Sequence, residues 1–205
     1  MKVTVIGAGI IGLCSAYYLE KAGAEVTIVD KTDITDGCSF GNMGYISPSH
    51  FIPLATPGIV TQGLKWMFSS TSPFYIKPRF NIDLARWCFA FLKKASAKNI
   101  EKNAPHLNNL LQLSRELIND VQRELPYGFD LTEKGCWMLW KNKKTGEHEK
   151  HLAEQANAFG LQTLICNQVE VQAYEPEVEV NAAGGILYKN DCHVDPPVLD
   201  RKSVV

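Results

Sequence analysis

Three glycines and one acid near the start of the chain have the types and spacing to do chemistry. Gly7, Gly9 and Gly12 form G-x-G-x-x-G, with Ala8 before the second glycine, Ile10 and Ile11 before the third, and Asp30-Lys31 further on. The first glycine permits a tight turn, the second a close approach of backbone to a pyrophosphate, the third close packing of helix on strand. The helix that follows points its free N–H groups and positive dipole end at the phosphates. Asp30 follows Gly12 near the spacing of roughly 20 residues at which a carboxylate meets ribose hydroxyls. The chemistry implied is the holding of a dinucleotide, with these eight residues, Gly7 to Gly12 with Asp30 and Lys31, as candidate contacts.

Such residues work only if strand, turn, helix and strand place them. Val3, Val5 and Ile6 make an apolar, β-rich run that stops at Gly7. A helix is expected from about Ile10 to Ala22, with Gly23 as its C′ residue. Glu25–Val29 reads as the second strand, ending at the acid. An ordinary α/β unit with an unused helix end also carries a glycine turn. The complete order, with the acid in place, favours dinucleotide binding.

Composition narrows the class. The 205 residues are 45% hydrophobic, enough for a sizeable core, and the net charge of −1 gives no footprint for a nucleic-acid partner. Six scattered cysteines without a C-x-x-C pair read as reduced intracellular thiols, neither a disulfide framework nor a metal site. Met1-Lys2 and the apolar run after it resemble a signal peptide only superficially, because the glycine turn and second strand explain them better. No run of about 18 apolar residues is present to span a bilayer. A cytoplasmic location is expected.

The loop after Asp30 separates two kinds of dinucleotide. A nicotinamide-binding domain would usually continue with a crossover helix and a third parallel strand. This chain instead reads T-D-G-C-S-F-G-N-M-G-Y-I-S-P-S. Gly, Ser and Asn there leave backbone N–H groups unencumbered and tolerate positive φ, which suits wrapping a bulky cofactor. Met43, Tyr45 and Ile46 are poorly suited to lie free in water.

Gly7-Gly9-Gly12, Asp30 and the run Ser39-Phe40-Gly41-Asn42-Met43-Gly44-Tyr45-Ile46-Ser47-Pro48 resemble the FAD-dependent D-amino-acid oxidase superfamily. Within it the pattern is similar to the bacterial D-amino-acid dehydrogenases of small-subunit type, as is Gly58–Phe68. The resemblance implies FAD rather than NAD. It also implies that Ser39, Asn42, Met43 and Gly44 lie beside the cofactor. Asp30 is a departure, since FAD proteins of this fold often carry the longer Glu there.

Residues 50–80, with Pro53, Pro57, Pro73 and Pro78, read as turns around one short helix. Asn81 caps a helix carrying Leu84, Trp87, Cys88, Phe91 and Leu92 and ending near Lys93-Lys94. A second helix is expected from Pro105 to Leu125, stopped by Pro126. Both should be core packing, although Lys65–Phe68 and Trp87–Lys94 also admit a basic-aromatic surface touching a membrane. Arg79 and Arg86 read as solvated charges. Phe129–Thr132 and Cys136–Trp140 suggest two strands around a turn, the second near the cofactor cavity. A helix over Glu147–Phe159, a strand over Leu161–Cys166 and a short helix over Gln168–Tyr174 follow. Gly184–Tyr188 begins the return, Asp195 and Pro196 open a last helix, and His193 reads as a turn residue rather than a catalyst.

The fold class expected is therefore α/β: a Rossmann-like FAD-binding domain with a helical extension and an interrupted, incomplete α+β substrate domain. Residues 1–126 are the first part of the FAD domain, 127–183 part of the substrate domain, and 184–199 the return. Residues 200–205, D-R-K-S-V-V, read like one translated frame of a common sequencing adapter and are expected to be a non-native tail, the alternative being a real polar terminus. The chain is expected to be an N-terminal fragment, inactive by itself. The function implied by the resemblance is oxidation of D-amino acids to 2-oxo acids and ammonia by hydride transfer to flavin. Electrons would pass to a quinone-type acceptor, with possible peripheral contact at the inner membrane face. The alternatives are an oxygen-using amine oxidase of the same superfamily (glycine, sarcosine or hydroxyproline type) and a catalytically inactive fragment. No catalytic residue is assigned, since the flavin carries the hard chemistry.

Overall fold

The structure, a computed structural model, describes residues 1–33, 37–59, 63, 66, 81–125 and 128–202, the last three by backbone only. It divides into two units, Met1–Ser49 with Leu113–Val205, and His50–Gln112.

The first unit opens with strand β1 (Lys2–Ile6), helix α1 (Ile10–Lys21) and strand β2 (Glu25–Val29). β1 and β2 pair in parallel, from Lys2 opposite Glu25 to Ile6 opposite Val29. Alternation leaves Val3, Val5, Val26 and Ile28 half-buried, while Ile6 and Val29 stay exposed. α1 buries Leu13 and Ala16. Its end is a Schellman turn: Gly23, at φ +84°, donates to the Glu20 carbonyl at 2.8 Å and Ala24 to Leu19 at 3.0 Å.

Strand β3 (Tyr45–Ile46) pairs antiparallel with β7 (Cys192–His193), not with β1 or β2. The chain between is three-stranded and antiparallel, with β6 (Gly184–Tyr188) between β4 (Cys136–Trp140) and β5 (Thr163–Asn167). All five residues of β6 are buried, as a central strand's continuous apolar run requires. Helix α4 (Lys143–Ala158) is capped by Asn142, whose side chain accepts from the Thr145 N–H. An added Cβ on Gly146 or on Gly184 would lie 2.6 or 2.7 Å from the Trp140 indole, so both glycines let backbone close on that ring. Helix α5 (Gln168–Tyr174) starts on an Asn167/Glu170 capping box and buries Val171 completely.

Three expectations about this region need correction. Phe129–Thr132 is not a strand: Phe129 is buried with Val121, Val194 and Leu199, and Thr132 makes a single bridge to His193. β4 pairs with β6 because that run offers apolar side chains on both faces, which the local segment does not. For the same reason Gly184–Tyr188 completes the antiparallel sheet, and the return begins only after it, at the turn into β7. His193 is a strand residue. The last helix, α6 (Pro196–Lys202), opens with Asp195 accepting from the Val198 and Leu199 N–H groups through its backbone carbonyl and continues through Lys202.

In the second unit, helix α2 (Ile82–Lys94) begins as expected, with the Asn81 side chain accepting from the Leu84 N–H at 3.0 Å. None of its residues is buried, contrary to the core role expected. Trp87 stacks on Phe91 one turn away, with ring centroids 5.3 Å apart, and Trp87 stays 56% exposed. Helical spacing specifies one apolar face, not something to cover it. Helix α3 spans Ala97–Glu124, so it starts well before Pro105, which lies inside it. Ser96 supplies the start instead, its side chain accepting from the Asn99 N–H. An interior proline costs about 3 kcal/mol, which a helix of 28 residues has many other hydrogen bonds to offset. The unit boundary falls within α3. Most of residues 50–80, including Lys65, Met67, Phe68 and Arg79, lies outside the described residues. Arg86 is exposed and pairs with Asp83.

Within the first unit, the end of α3 packs against α1. Ile10, Tyr17, Ile118 and Leu125 pack on the buried cluster of Val121, Phe129, Val194 and Leu199, and Lys21 binds Glu124 at 2.6 Å. Tyr17 donates to the same carboxylate, which, with burial, pushes its pKa up to about 12. The helix that carries the glycine turn is thereby anchored along its length.

Candidate cofactor site

The turn after β1 folds as its glycines dictate. Gly7 sits at φ +103°, where a side chain would be strained, and its N–H donates to the Val29 carbonyl at 2.8 Å, which joins the ends of β1 and β2. An added Cβ on Gly12 would stand 1.8 Å from the Gly7 carbonyl oxygen, so only glycine lets α1 come this close to β1. Gly9 is the N-cap of α1, in extended backbone and without a side-chain cap, and no acidic residue stands in the first turn. The dipole end of α1 is therefore left positive.

Two side chains from distant parts of the sequence meet this turn. Asp30 Oδ2 accepts from the Ala8 N–H at 2.7 Å, and its Oδ1 accepts from the Thr32 N–H at 3.0 Å. The Ala8 bond, then the Thr32 bonds, hold the Asp30 carboxyl below the usual aspartate range. Ser39 Oγ accepts from the Ile10 N–H at 3.0 Å, and an added Cβ on Gly9 would lie 3.1 Å from that oxygen. Ser39 thus takes the first free helix N–H as an anion's oxygen would. Ile11 and Lys31 are exposed beside them.

The loop closes on Asn42. Its Nδ2 donates to the Cys38 and Ser39 carbonyls at 3.1 and 2.7 Å, and its Oδ1 accepts from the Gly44 N–H at 2.6 Å. Gly44, at φ +61°, leaves no room for a Cβ, which would be 1.9 Å from the Val194 carbonyl oxygen. Met43 is 87% exposed beside it, although its type suits cover. The expected residues fall in two groups, one at the glycine turn and one at the Asn42 corner, and Ser39 bonds to both.

Sequence reasoning missed what holds the far end of this loop. The Tyr45 and Ser49 hydroxyls and the Ser49 N–H all donate to Asp191, which is fully buried. Burial, and then the Asp191 bond, raises the Tyr45 pKa. The sequence signal was thin: one acid beside an apolar Cys-His-Val run.

A family model described as "FAD dependent oxidoreductase" (DAO) matches residues 2–201. The chain belongs to the DAO family. The D-amino acid dehydrogenase of Rhizorhabdus wittichii is 32% identical over 93% of this chain and 47% of the relative. The Helicobacter pylori D-amino acid dehydrogenase is 31% identical over 95% and 46%. The chain therefore spans about half the length of these relatives. Among solved structures, glycine oxidase from Geobacillus kaustophilus gives a TM-score of 0.66 at 19% identity, covering 98% of this chain and 42% of the other. L-proline dehydrogenase from P. horikoshii gives 0.60 at 19%, covering 98% and 40%. Their likeness supports an incomplete Rossmann-like α/β fold. FAD is the DAO family's cofactor, and the residues present fit it: a cradle at Gly9 that a Cβ would fill, a helix N-terminus with no acidic residue in its first turn, and a carboxylate at the end of β2.

Proposed function

We propose that this chain carries the ADP-binding part of the FAD site of a D-amino-acid dehydrogenase. The observation that carries the reading is the convergence of the open Gly9 backbone, the Ser39 hydroxyl and the Asp30 carboxylate on one helix N-terminus. In this reading the Gly9 backbone and the Ile11 N–H face the pyrophosphate, the Ser39 hydroxyl on the Ile10 N–H lies beside it, and Asp30 accepts from ribose hydroxyls. Asn42, Met43 and Gly44 form the wall toward the flavin, and Lys31 flanks the ribose. Residues up to Ser49, with β7 and α6, form the cofactor part. The β4–β6–β5 sheet forms the substrate side.

The whole protein would oxidise D-amino acids to 2-oxo acids and ammonia. Bound FAD supplies a two-electron acceptor for the substrate C–N bond, and electrons leave to a quinone-type acceptor. This chain's residues bind and orient, so none of them is assigned as an acid or base. No described helix is long and apolar enough to cross a membrane. The exposed Trp87 and Leu92 beside Lys93 and Lys94 suit peripheral contact with an anionic lipid face.

A second reading, an oxygen-using amine oxidase, is favoured by the likeness to glycine oxidase. Dye reduction by the whole protein separates the two: D-amino acids but not L-isomers should reduce a quinone-like dye, with little peroxide. Peroxide as the main product supports the oxidase, and equal rates with L-isomers refute the dehydrogenase. A colourless protein that takes up no flavin supports an inactive fragment.

A further inference from the structure

We propose that Asp191 is a positioning residue for the segment Gly44–Ser49, and through it for the flavin-facing wall, a role that rests on the FAD reading above. Asp191 lies in the turn between β6 and β7 and has no solvent exposure. A carboxylate removed from water is costly unless charge-assisted hydrogen bonds surround it. Here they come from one segment. The Ser49 N–H donates to Oδ1 at 3.0 Å, the Ser49 hydroxyl to Oδ2 at 2.6 Å, and the Tyr45 hydroxyl to Oδ2 as well.

The turn that carries Asp191 is itself held. Arg115 Nε donates to the Asn190 carbonyl at 3.2 Å while its Nη2 binds Glu133. Asn190 Oδ1 accepts from the Gln162 N–H at 2.6 Å. The segment is also tied by the two-residue β3–β7 ladder and by one bond from the Val194 N–H to the Gly44 carbonyl at 2.9 Å. So short a ladder is not stable by itself. An apolar side chain in its place would leave these three donors without this acceptor. What the carboxylate adds is direction, since it fixes two hydroxyls and one backbone amide against the β6–β7 turn. The loop is then pinned at both ends, by Ser39 on α1 and by Asp191 on Tyr45 and Ser49.

The test is amide hydrogen exchange on the 205-residue chain, with FAD titration of the same samples. Asp191→Ala should speed exchange at Ser49 and Val194 by about tenfold or more beyond any change at Val5 or Ile28, and weaken FAD binding. Asp191→Asn should recover part of both, because its carbonyl still accepts from the Ser49 N–H. Val171→Ala, which opens a cavity at the α5–sheet contact, serves as the control for general destabilisation. It should leave Ser49 exchange and FAD affinity unmoved. Equal effects of Asp191→Ala and Val171→Ala at Ser49 would overturn the proposal. So would faster exchange with unchanged FAD affinity. If the parent chain takes up no FAD, the cofactor reading fails and the exchange arm still decides whether Asp191 holds the segment. Should Asp191→Ala not fold, Tyr45→Phe, which deletes one hydroxyl, carries the same comparison.

Discussion

Gly12→Ala perturbs the glycine turn at its tightest point. The new Cβ would stand 1.8 Å from the Gly7 carbonyl oxygen and 3.0 Å from its carbon. The obstacle is backbone, so no rotamer relieves it, and α1 must retreat from β1 by about 1 Å or the turn must change its dihedrals. Overpacking of this kind costs about 1–3 kcal/mol. Helix propensity opposes it by up to about 1 kcal/mol, since alanine is favoured over glycine within a helix. The clash wins over most of that range. At this chain length each kcal/mol moves the melting midpoint by about 2–4 °C, so a fall of up to about 12 °C is expected. Hydrogen bonds to a phosphate tolerate far less than 1 Å of displacement, and FAD affinity should fall by about tenfold or more. Melting by circular dichroism and FAD fluorescence quenching read the two effects. Gly23→Ala is the control: φ +84° makes it strained, but open space surrounds it and the site is remote. A Gly12→Ala chain that melts like its parent and binds FAD as well would refute the account of the turn.

Ser39→Ala removes the acceptor of the Ile10 N–H and should cost about 1 kcal/mol, a cap's worth, read as about 2–4 °C in the melting midpoint. Ser39→Thr should keep most of it, and no change in Ser39→Ala would contradict the bond. Asp30 is held below its usual pKa by the Ala8 N–H, so its contribution is complete above the ordinary value near 3.9 and is lost as pH falls through the lowered folded value. The Ala8 amide resonance should follow that titration, and Asp30→Asn should abolish it. A midpoint at or above the ordinary aspartate value would contradict the assignment.

The β1–α1–β2 unit was legible because every local signal agrees there: β-rich run, glycines, helical spacing, Gly23 at C′ and the acid at the end of β2. The same holds for the Asn81 cap and for α5. Reading failed where a distant partner decided. Phe129–Thr132 sits next to β4 in sequence, yet β6 wins the pairing with its two apolar faces. Pro105 looks like a start only if the Ser96 cap upstream is overlooked. α2 shows that periodicity cannot say whether a face is covered. In the site, Gly7, Gly9, Gly12 and Asp30 were readable from spacing, and Ser39 to Gly44 only through resemblance. Asp191 was not readable, because its partners lie 142 and 146 residues away.

The central claim is that the glycine turn, Ser39 and Asp30 hold the ADP part of FAD. Its most direct test is a titration of the ¹⁵N-labelled chain with FAD, followed at each backbone amide. The account predicts saturable shifts at Ala8, Ile10 and Ile11 and in the Ser39–Gly44 loop, lost in Gly9→Val and weaker with NAD. Saturable FAD binding that leaves those amides unmoved, or that survives Gly9→Val unchanged, would contradict it.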